Sequence, residues 1–438
     1  DEKYIKLYVN GFEEYKSYIL SLNIKDLSKE CGVEISTIEE LVKLYCQKYS
    51  TILLGFGMQK YKNGGMTIRL IDALGAITGQ IGFSGGGVNY ANKVYPKILN
   101  TDPYDSEKFS SNRYYHTNEI SEFIEKCNLG NTYYKNDIFI NHEDNKGDYE
   151  LNIPIKMAII TKSNLLNQLA NINNLKRALS KVEFKVCFDM FITDTVKECD
   201  LFIPVTSQLE SEDLLFSSMM NPYLVYNEKI LEPQEKLMDE YYFFMEVAKR
   251  LKMSNYPIVT KKEYLEKVIY PLKNINSDIS LEYLKNNYFT LHKDVAWSDK
   301  NFVNESGKFE IINCEEIKKF EANKYKDISK LRLLTNHGRD SLSSQHFMDD
   351  DGIAIAYINE KEAKRFNINN NEIIYLKSEN GQIKVKINID KSIGDNIVMM
   401  FVGWWERHGN PNFLTNSGIS DIGGQITYNE TFVEIIKR

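Results

Sequence analysis

Three short apolar runs separated by helical segments constrain the fold of this chain more than any other feature. The runs are residues 157–160, 184–188 and 201–204, and a helical stretch at 175–179 separates the first two. Strands that alternate with helices are typical of an open sheet of parallel strands, because parallel strands need a crossover between them. A further run at 51–54 ends in glycines, as a buried parallel strand would. The sequence therefore predicts an α/β fold built on an open parallel sheet.

After about residue 330 the pattern changes from helical spacing to short alternating strands. The runs are 332–335, 353–356, 372–376 and 383–387, with one short helix at 359–366. The favoured hairpin pair Asn380-Gly381 separates the last two runs. This change predicts an all-β, barrel-like second domain that begins near residue 331.

The remaining segments of the first domain give weaker signals. Helices are predicted at 15–22, 66–77 and 241–251, and another begins at Ser36, with Glu39 completing a capping box. Residues 95–150 are rich in Asn, Tyr and Ser and predict a polar excursion with little core of its own. Residues 253–330 are predicted to be a polar link.

Charge and cysteine content exclude several classes of function. Lys and Arg total 54 against 61 Asp and Glu, a net charge of −7, which argues against a nucleic-acid partner. No apolar run reaches the roughly 18 residues that a membrane span needs. The six cysteines are scattered with no CxxC pair, so no metal ligand or iron–sulfur cluster is predicted, and buried free thiols in a reducing compartment are expected. We expect a cytoplasmic protein, with export left open because the chain begins at Asp1.

Polar and glycine residues share one location, the ends of the predicted strands. They are Gly55 to Gln59, Ser163-Asn164, Asp189 and Pro204. Loops at the carboxyl edge of a parallel sheet converge on a crevice, where backbone N–H groups favour phosphates and a carboxylate can accept hydrogen bonds from a base such as guanine. The residues therefore predict a nucleotide-like, phosphate-bearing cofactor. They do not match a dinucleotide fingerprint or a known catalytic motif, so no catalytic residue is assigned, and the loop at Gly55 could be a simple turn.

Three blocks of sequence carry a resemblance to a known family. The first includes Leu54-Gly55-Phe56-Gly57-Met58-Gln59, Asn63-Gly64-Gly65 and Gly85-Gly86-Gly87-Val88-Asn89. The second includes Ser163-Asn164-Leu165, Phe188-Asp189-Met190 and Asp200-Leu201-Phe202-Ile203-Pro204. The third includes Gly307-Lys308-Phe309-Glu310, Leu334-Thr335 and Asn412-Phe413-Leu414-Thr415. In order and spacing over nearly the whole chain, the blocks resemble the C-terminal half of molybdopterin oxidoreductase large subunits, the dimethyl sulfoxide reductase family.

The resemblance implies a fold, a cofactor and a set of binding residues. The fold would be an incomplete Rossmann-like α/β domain at 1–330, followed by a β-barrel of the double-psi type at 331–438. The cofactor would be molybdenum or tungsten on two molybdopterin guanine dinucleotides. The first domain would contact the dinucleotides through Gly55, Gly57, Gln59, Asn164, Phe188, Asp189 and Asp239. The barrel would contact the pterin or its phosphates through Thr335, Asn336, His337, Ser344, Gln345, Trp404, Asn412 and Asn429.

The sequence departs from the family pattern at two positions, and several of the residues named above have an alternative interpretation. Leu165 replaces the proline that usually follows the asparagine, and Ser211 stands where some members have a lysine. Asp189 could serve only to cap its own turn, and Trp404 could belong to the core. The glycines at 79, 82 and 85–87 could serve only packing. His337 and His346 could be loop residues or a proton relay.

The family portion that carries an iron–sulfur cluster and the metal ligand has no counterpart in this sequence. We therefore expect a fragment or split subunit whose partner is the missing N-terminal half or a companion subunit, and no cofactor bound tightly to this chain alone. The complete protein is predicted to be an oxidoreductase that moves an electron pair or an oxygen atom. The alternative is a non-catalytic scaffold subunit of an electron-transfer complex that kept the fold and lost the metal.

Overall fold

The computed structural model describes most of the chain. The described ranges are residues 1–47, 50–91, 94–106, 117–128, 154–216, 222–234, 237–291, 295–318, 329–345 and 352–437. The predicted excursion falls partly outside them, at 107–116 and 129–150, and so does His346. Within the described ranges, no helix combines the length and apolar character that crossing a membrane requires.

Helices and strands are numbered here in chain order. The helices are α1 (Glu2–Tyr8), α2 (Phe12–Leu20), α3 (Ile24–Cys31), α4 (Ile35–Tyr45), α5 (Gly64–Ile77), α6 (Tyr95–Ile98), α7 (Ile120–Asn128), α8 (Leu165–Gln168), α9 (Ile172–Leu179), α10 (Asp194–Lys197), α11 (Glu240–Arg250), α12 (Lys261–Ile269), α13 (Leu281–Asn286), α14 (Cys314–Lys318) and α15 (Glu360–Arg365). The strands are β1 (Val9–Asn10), β2 (Thr51–Leu53), β3 (Gly87–Asn89), β4 (Met157–Thr161), β5 (Phe184–Asp189), β6 (Leu201–Pro204), β7 (Asp213–Phe216), β8 (Tyr223–Asn227), β9 (Phe289–Thr290), β10 (Phe309–Glu310), β11 (Leu331–Asn336), β12 (Ile355–Ile358), β13 (Ile373–Lys377), β14 (Gln382–Ile389), β15 (Ile397–Phe401) and β16 (Thr431–Ile436).

Strands β4, β5 and β6 form a parallel sheet in that order, which confirms the predicted α/β architecture. Ile160 lies opposite Cys187, and Phe188 lies opposite Ile203. Helices α8 and α9 connect the first two strands, and α10 connects β5 to β6. The carboxyl ends of the three strands therefore lie side by side.

Two local predictions near the N-terminus are wrong in detail. The run at 51–54 forms β2, which pairs in parallel with β3, but Thr51 and Leu53 are exposed rather than buried. Among the described residues the strand has a neighbour on one side only. The predicted capping box at Ser36 is absent, because α4 already begins at Ile35, with no side-chain cap.

The C-terminal domain is a closed six-stranded barrel, in the order β11-β15-β12-β14-β13-β16. The predicted hairpin is present, with Ile374 opposite Val385 and Asn380-Gly381 in the turn. Strands β15 and β16 were not predicted, yet both pair with β11 and close the barrel. Side chains alternate along β14 between buried and exposed, so one face fills the interior. The same buried cluster includes Ile172 and Leu175 of α9, which joins the barrel to the sheet domain.

The segments predicted to be polar excursions contribute a second core. Tyr95 and Leu99 are buried together with Leu265, Ile269 and Leu272 of the region predicted to be a polar link. The prediction of little core at 95–150 and that of a polar link at 253–330 are therefore wrong for these residues. Their apolar side chains are diluted by Asn, Lys and Tyr, so the average polarity of the segments conceals a buried face.

The contact between the sheet domain and the barrel uses backbone groups and glycines. Asp421 of the barrel accepts hydrogen bonds from Gly65 N at 2.9 Å and Met66 N at 2.8 Å, and so caps α5. A Cβ on Gly65 would lie 2.5 Å from Ile422 Cβ, so Gly65 permits a close approach of the two domains, whereas a Cβ on Gly64 would lie 2.3 Å from Met58 O of its own loop. Close packing therefore explains Gly64 and Gly65.

The six cysteines are free thiols. Cys31 and Cys46 are exposed, so the expectation of buried thiols is wrong for these two. Cys187 of β5 and Cys199, which follows α10, belong to one packed cluster although the sequence separates them by a turn and a helix. Their contact follows from the short crossover between β5 and β6.

Candidate functional site

A cavity of about 520 Å³ opens at the carboxyl ends of β4, β5 and β6. Its walls are the residues that follow these strands, the start of α11 with Lys261 of α12, and barrel residues 342–345 with Trp405. The cavity lies where the sequence analysis placed a ligand, at the carboxyl edge of the parallel sheet. Of the predicted site residues it brings together six, namely Asn164, Phe188, Asp189, Asp239, Ser344 and Gln345.

Asn164 follows β4 and is 5% exposed. Its Oδ1 accepts a hydrogen bond from Thr195 Oγ1 at 2.7 Å, and that hydroxyl oxygen accepts one from Leu166 N at 3.0 Å. Its Nδ2 has no partner among the described residues. An unpaired buried donor costs roughly 1–3 kcal/mol, so this amide is available to an acceptor supplied from the cavity. Leu165, one of the two departures, begins α8 and leaves the amide at the cavity wall.

Asp189 is the last residue of β5 and both caps a turn and lines the cavity. Its Oδ1 accepts hydrogen bonds from Met190 N at 2.7 Å and Phe191 N at 3.2 Å. Its Oδ2 is 3.5 Å from Thr193 Oγ1, a weak contact. Asp189 Oδ1 therefore caps its own turn, as the alternative interpretation of this residue held. Asp189 Oδ2 can still accept hydrogen bonds from a ligand.

Charged pairs occupy part of the cavity wall. Asp239 caps α11 and accepts a hydrogen bond from Lys261 Nζ at 2.9 Å, with both side chains less than 15% exposed. Glu240 Oε2 is 3.6 Å from Lys162 Nζ. Each of these two cations is matched by a carboxylate. The further carboxylates Asp189 and Asp213 make the cavity lining acidic overall. An acidic wall favours a ligand that presents hydrogen-bond donors over one that presents phosphates.

The barrel closes the cavity with a different tryptophan from the predicted one. Trp405 lines the cavity, and its Nε1 donates to Ser344 O at 2.8 Å. Trp404 is 6% exposed, lies in the barrel core, and accepts from Asn167 Nδ2 through its backbone oxygen at 2.8 Å. Ser344 and Gln345, for which the resemblance implied a contact with the pterin or its phosphates, also line this cavity. Ser211, the other departure, is also at the wall.

Phe188 lines the cavity, but its ring is buried in the protein. The side chain is 1% exposed and packs against Phe243 and Phe244, with ring centres 4.9 and 5.5 Å away. Its backbone therefore supplies its part of the wall. The predicted contact of Phe188 with a ligand is restricted to main-chain atoms.

The predicted residues of the first block lie elsewhere. Gly55 and Gly57 are exposed, and a Cβ on either would meet nothing within 4 Å. Gln59 donates from Nε2 to Tyr90 Oη at 2.6 Å. None of the three lines the cavity, so the structure does not bring them together with Asn164 and Asp189.

A second group of predicted residues gathers at the end of β11. Thr335 N donates to Asn429 Oδ1 at 3.3 Å, and Thr335 O accepts from Lys60 Nζ at 2.5 Å. Asn336 and His337 follow and are exposed. Desolvation by neighbouring groups and the nearby charge of Lys60 lower the pKa of His337 below its ordinary value. This group lies where the barrel meets the loop of the first block.

Asn412 has a structural role in this arrangement. Its Nδ2 donates to the backbone oxygens of Asn167 at 2.8 Å and Gln168 at 3.3 Å, and its Oδ1 accepts from Thr415 Oγ1 at 3.0 Å. The side chain is 2% exposed. Its amide therefore holds α8 against the barrel and is not directed at the cavity.

Sequence reasoning missed several cavity residues. They are Lys162, Thr193, Thr206, Lys261 and Trp405. Lys162 and Thr206 follow strands, so the rule that selected Asn164 would have found them. Lys261 is the first residue of α12, far along the chain from the strand ends. No local sequence pattern indicates that it lines the cavity.

The cavity fits the base of a guanine nucleotide. The free Asn164 amide can donate to a purine acceptor such as O6 or N7, and the carboxylates can accept from the N1–H and 2-amino groups. Its volume is within the usual range of a ligand site, roughly 300–1,000 Å³. Within the described ranges, no three His, Cys, Asp or Glu side chains come together as a metal site.

Two family models match the chain. The first, described as Molybdopterin oxidoreductase, matches residues 15–250, which is more than half of the chain. The second, described as Molydopterin dinucleotide binding domain, matches residues 332–432 and therefore nearly all of the barrel.

Curated relatives are longer than this chain. The probable oxidoreductase YyaE of Bacillus subtilis is 28% identical over 97% of this chain and 63% of its own length. The alpha subunit of an F420-dependent formate dehydrogenase of Methanocaldococcus jannaschii is 23% identical over 96% of this chain and 63% of its own length. A trimethylamine-N-oxide reductase of Pasteurella multocida is 25% identical over 57% of this chain and 32% of its own length. The chain thus spans less than two thirds of these relatives.

A solved structure has the same fold. Acetylene hydratase from Pelobacter acetylenicus superposes with a TM-score of 0.70 at 18% identity, over 100% of this chain and 68% of that protein. At this identity the similarity concerns the fold alone.

Proposed function

The chain belongs to the molybdopterin oxidoreductases of the dimethyl sulfoxide reductase family, and on that premise we propose that it is part of an enzyme that transfers an electron pair or an oxygen atom. The two family models confirm the resemblance carried by the sequence blocks. Relatives named as a reductase and a dehydrogenase support the class of reaction. Because the chain spans less than two thirds of their length, the activity is proposed for the complete protein.

The cofactor is a molybdopterin guanine dinucleotide with molybdenum. When bound, it supplies the metal centre at which electrons or oxygen are exchanged, while the protein binds and orients it. We assign the guanine base to the cavity, where Asn164 Nδ2 donates to it and Asp189 Oδ2 accepts from it. Asp239 is held by Lys261 and forms the far wall, and Ser344 and Gln345 close the cavity from the barrel.

The unpaired amide of Asn164 is the observation that carries this proposal. A buried donor without a partner is unfavourable unless a ligand satisfies it. A scaffold that had lost its cofactor would gain stability by replacing this amide with an apolar side chain. The residue therefore favours a chain that still binds the dinucleotide over the non-catalytic alternative.

We further propose that the metal ligand and the iron–sulfur cluster come from a part of the protein, or a companion subunit, beyond these residues. The longer relatives support this proposal, because this chain covers only 63% of the length of two of them. The orientation of the base is then the contribution of this chain, and the reacting centre is completed elsewhere.

Titration with nucleotides tests the assignment of the cavity. The 438-residue chain should bind guanosine diphosphate more tightly than inosine diphosphate, which lacks the 2-amino donor, and more tightly than adenosine diphosphate. Asp189→Asn keeps the oxygen that caps the turn but removes the charge. Losing a charge-assisted hydrogen bond costs about 1.5–3 kcal/mol, so we expect roughly ten- to a hundredfold weaker binding of guanosine diphosphate by calorimetry.

Asp390→Asn is the matched control. Asp390 also accepts a backbone N–H two residues ahead, from Ser392 at 2.8 Å, but it lies on the barrel away from the cavity. It should leave nucleotide affinity unchanged. Equal affinity for the three nucleotides, or equal effects of the two substitutions, would show that the cavity does not recognise guanine.

A further inference from the structure

Two of the six cysteines pack against the parallel sheet whose strand ends form the cavity. Cys187 is 0% exposed in β5, where the strand register places it between Ile160 of β4 and Phe202 of β6. Residues opposite each other in neighbouring strands point to the same side of a sheet. Cys199 packs on that side, against the cluster that contains Ile160, Cys187 and Val196 of α10. The two sulfur-bearing side chains are therefore neighbours, although a turn and a helix separate them in sequence.

The two thiols differ in reactivity. Interaction with Cys199, together with burial, raises the pKa of the Cys187 thiol. Interaction with Cys187 lowers the pKa of the Cys199 thiol despite its partial burial, and the charge of Lys185 adds to this effect. The thiolate is the reactive form of cysteine. Cys199 is also partly exposed whereas Cys187 is buried, so Cys199 is placed to react first with an oxidant and Cys187 second.

Cys199 is connected to the cavity wall through α10. Its Sγ donates to Thr195 O at 3.2 Å. The hydroxyl of the same threonine donates to Asn164 Oδ1 at 2.7 Å and accepts a hydrogen bond from Leu166 N at 3.0 Å. Thr195 is 1% exposed, so water has little access to these contacts. A restraint on Cys199 therefore acts on the helix that holds the Asn164 amide at the cavity.

The remaining cysteines provide internal comparisons. Cys127 and Cys314 are buried in two separate clusters, and each is the one cysteine among the described residues of its cluster. If burial alone decided the outcome of oxidation, these two thiols would behave like Cys187. A difference between them and Cys187 therefore reports the effect of the neighbouring sulfur.

We propose that Cys187 and Cys199 are a redox-sensitive pair, which a hydroperoxide converts into a disulfide that restrains α10 beside the cavity. The Cys199 thiolate attacks the O–O bond of hydrogen peroxide, which breaks to leave a sulfenic acid on Cys199 and hydroxide that is protonated to water. The Cys187 thiol then attacks the sulfenic sulfur. The S–S bond forms, the S–OH bond breaks, and the departing hydroxide takes the thiol proton to form a second water.

The electrons of this reaction balance. The two thiols lose one pair of electrons and the peroxide gains it, and a dithiol reductant reverses the change by thiol–disulfide exchange. The proposal concerns the protein alone and does not depend on which ligand the cavity holds.

Treatment with hydrogen peroxide followed by mass spectrometry tests the pair. The 438-residue chain is used with Cys31→Ser and Cys46→Ser, because these exposed thiols could otherwise join two chains. We expect a disulfide between residues 187 and 199 to form in most chains and to disappear after dithiothreitol. Cys127 and Cys314 should remain thiols under the same conditions.

The sequence allows the disulfide to be identified without ambiguity. Trypsin cuts after Lys185, Lys197 and Lys229, so the two cysteines fall on the separate peptides 186–197 and 198–229. Without reduction, the disulfide joins these peptides into one species that is two hydrogen atoms lighter than their sum. After reduction, the two peptides separate.

Hydrogen exchange of backbone amides tests the restraint. A disulfide reduces the open states available to the segment that it closes. The amides of α10 and the N–H of Leu166, which donates to Thr195 Oγ1, should exchange roughly tenfold or more slowly in the oxidised chain. Cys199→Ser keeps a donor toward Thr195 O but cannot form the disulfide. Its exchange should be the same before and after peroxide.

Either of two results would overturn the proposal. The disulfide is excluded if peroxide leaves Cys199 as a thiol, or carries it to a sulfinic acid, without the joined peptides while circular dichroism shows a folded chain. The restraint on the cavity wall is excluded if the disulfide forms but exchange in α10 and at Leu166 is unchanged.

Discussion

Asn412 and Asn164 are both buried amides, yet their atoms are used differently. Asn412 satisfies both ends of its amide within the protein, whereas Asn164 leaves Nδ2 unpaired among the described residues. The first therefore acts as a structural link and the second as a candidate ligand contact. The family resemblance implied that both belong to the site. The sequence could not show that Asn412 is engaged, because the backbone oxygens that accept from it belong to a distant segment.

Lys60 and His337 give a prediction at the scale of single residues. Desolvation by neighbouring groups and the charge of Lys60 lower the pKa of His337 below its usual value of 6.5. Lys60→Met removes one of these causes, so the pKa of His337 should rise toward that value. Nuclear magnetic resonance of labelled histidine, assigned with His337→Gln, measures the change, and Lys62→Met should leave the titration where it is.

The sign of the pH effect follows from this direction. A histidine whose pKa is lower in the folded state binds fewer protons there than in the unfolded chain. Stability therefore decreases as the pH falls through the unfolded value and is regained above it. A histidine pKa that stays fixed when Lys60 is replaced would contradict the proximity of the two groups.

The residues that line the cavity were predictable to different degrees. Asn164 and Asp189 follow from a rule about strand ends, because each strand and its end are visible locally. Trp405 was missed in favour of Trp404, since which of two adjacent tryptophans faces the barrel core depends on the geometry of the turn. Lys261 could not be predicted, because its approach to Asp239 depends on how α12 packs.

At the scale of elements, Gly65 gives a test of the contact between domains. A Cβ there would lie 2.5 Å from Ile422 Cβ, so Gly65→Ala should lower the free energy of unfolding by about 1–3 kcal/mol through overpacking. Gly55→Ala is the matched control, because its Cβ would meet nothing within 4 Å. Urea unfolding of both variants measures the difference.

Equal stabilities of the two glycine variants would mean that the barrel loop is not held against α5. The same contact also explains why the Asn63-Gly64-Gly65 block could be noticed in the sequence but not interpreted. Its partner Ile422 lies in a different domain, and no spacing rule connects the two.

Strands β15 and β16 were missed for a related reason. They are no shorter than the predicted strand β12, but both pair with β11 across long stretches of sequence. Strand propensity depends on such neighbours more than helix propensity does. The strands β12, β13 and β14 were predictable because a recognisable turn joins β13 to β14 and alternation is regular along them.

At the scale of the whole molecule, one sheet exposes apolar side chains. Met157, Ile159, Phe184 and Leu201 on β4, β5 and β6 are between 41% and 50% exposed. An exposed apolar patch of this kind is typical of an interaction surface. It agrees with our proposal that a further part of the protein or a companion subunit completes the fold.

The metal content of the chain is a prediction at this scale. Purified by itself, the chain should hold no stoichiometric molybdenum and no iron–sulfur cluster, because a cluster needs about four thiolates brought together. A dinucleotide bound in an open cavity loses affinity through screening and lack of closure. Elemental analysis for molybdenum and iron measures the outcome, and an equimolar amount of molybdenum would overturn the proposal of a partner.

The central claim is that the cavity at the carboxyl ends of β4, β5 and β6 holds the guanine base. A crystal of the chain grown with 8-bromoguanosine diphosphate locates the base directly through the anomalous signal of bromine. We predict a bromine peak inside the cavity, with the base in contact with Asn164 Nδ2 and Asp189 Oδ2. A peak at the junction near Lys60 or elsewhere, with the cavity free of nucleotide, would contradict the claim.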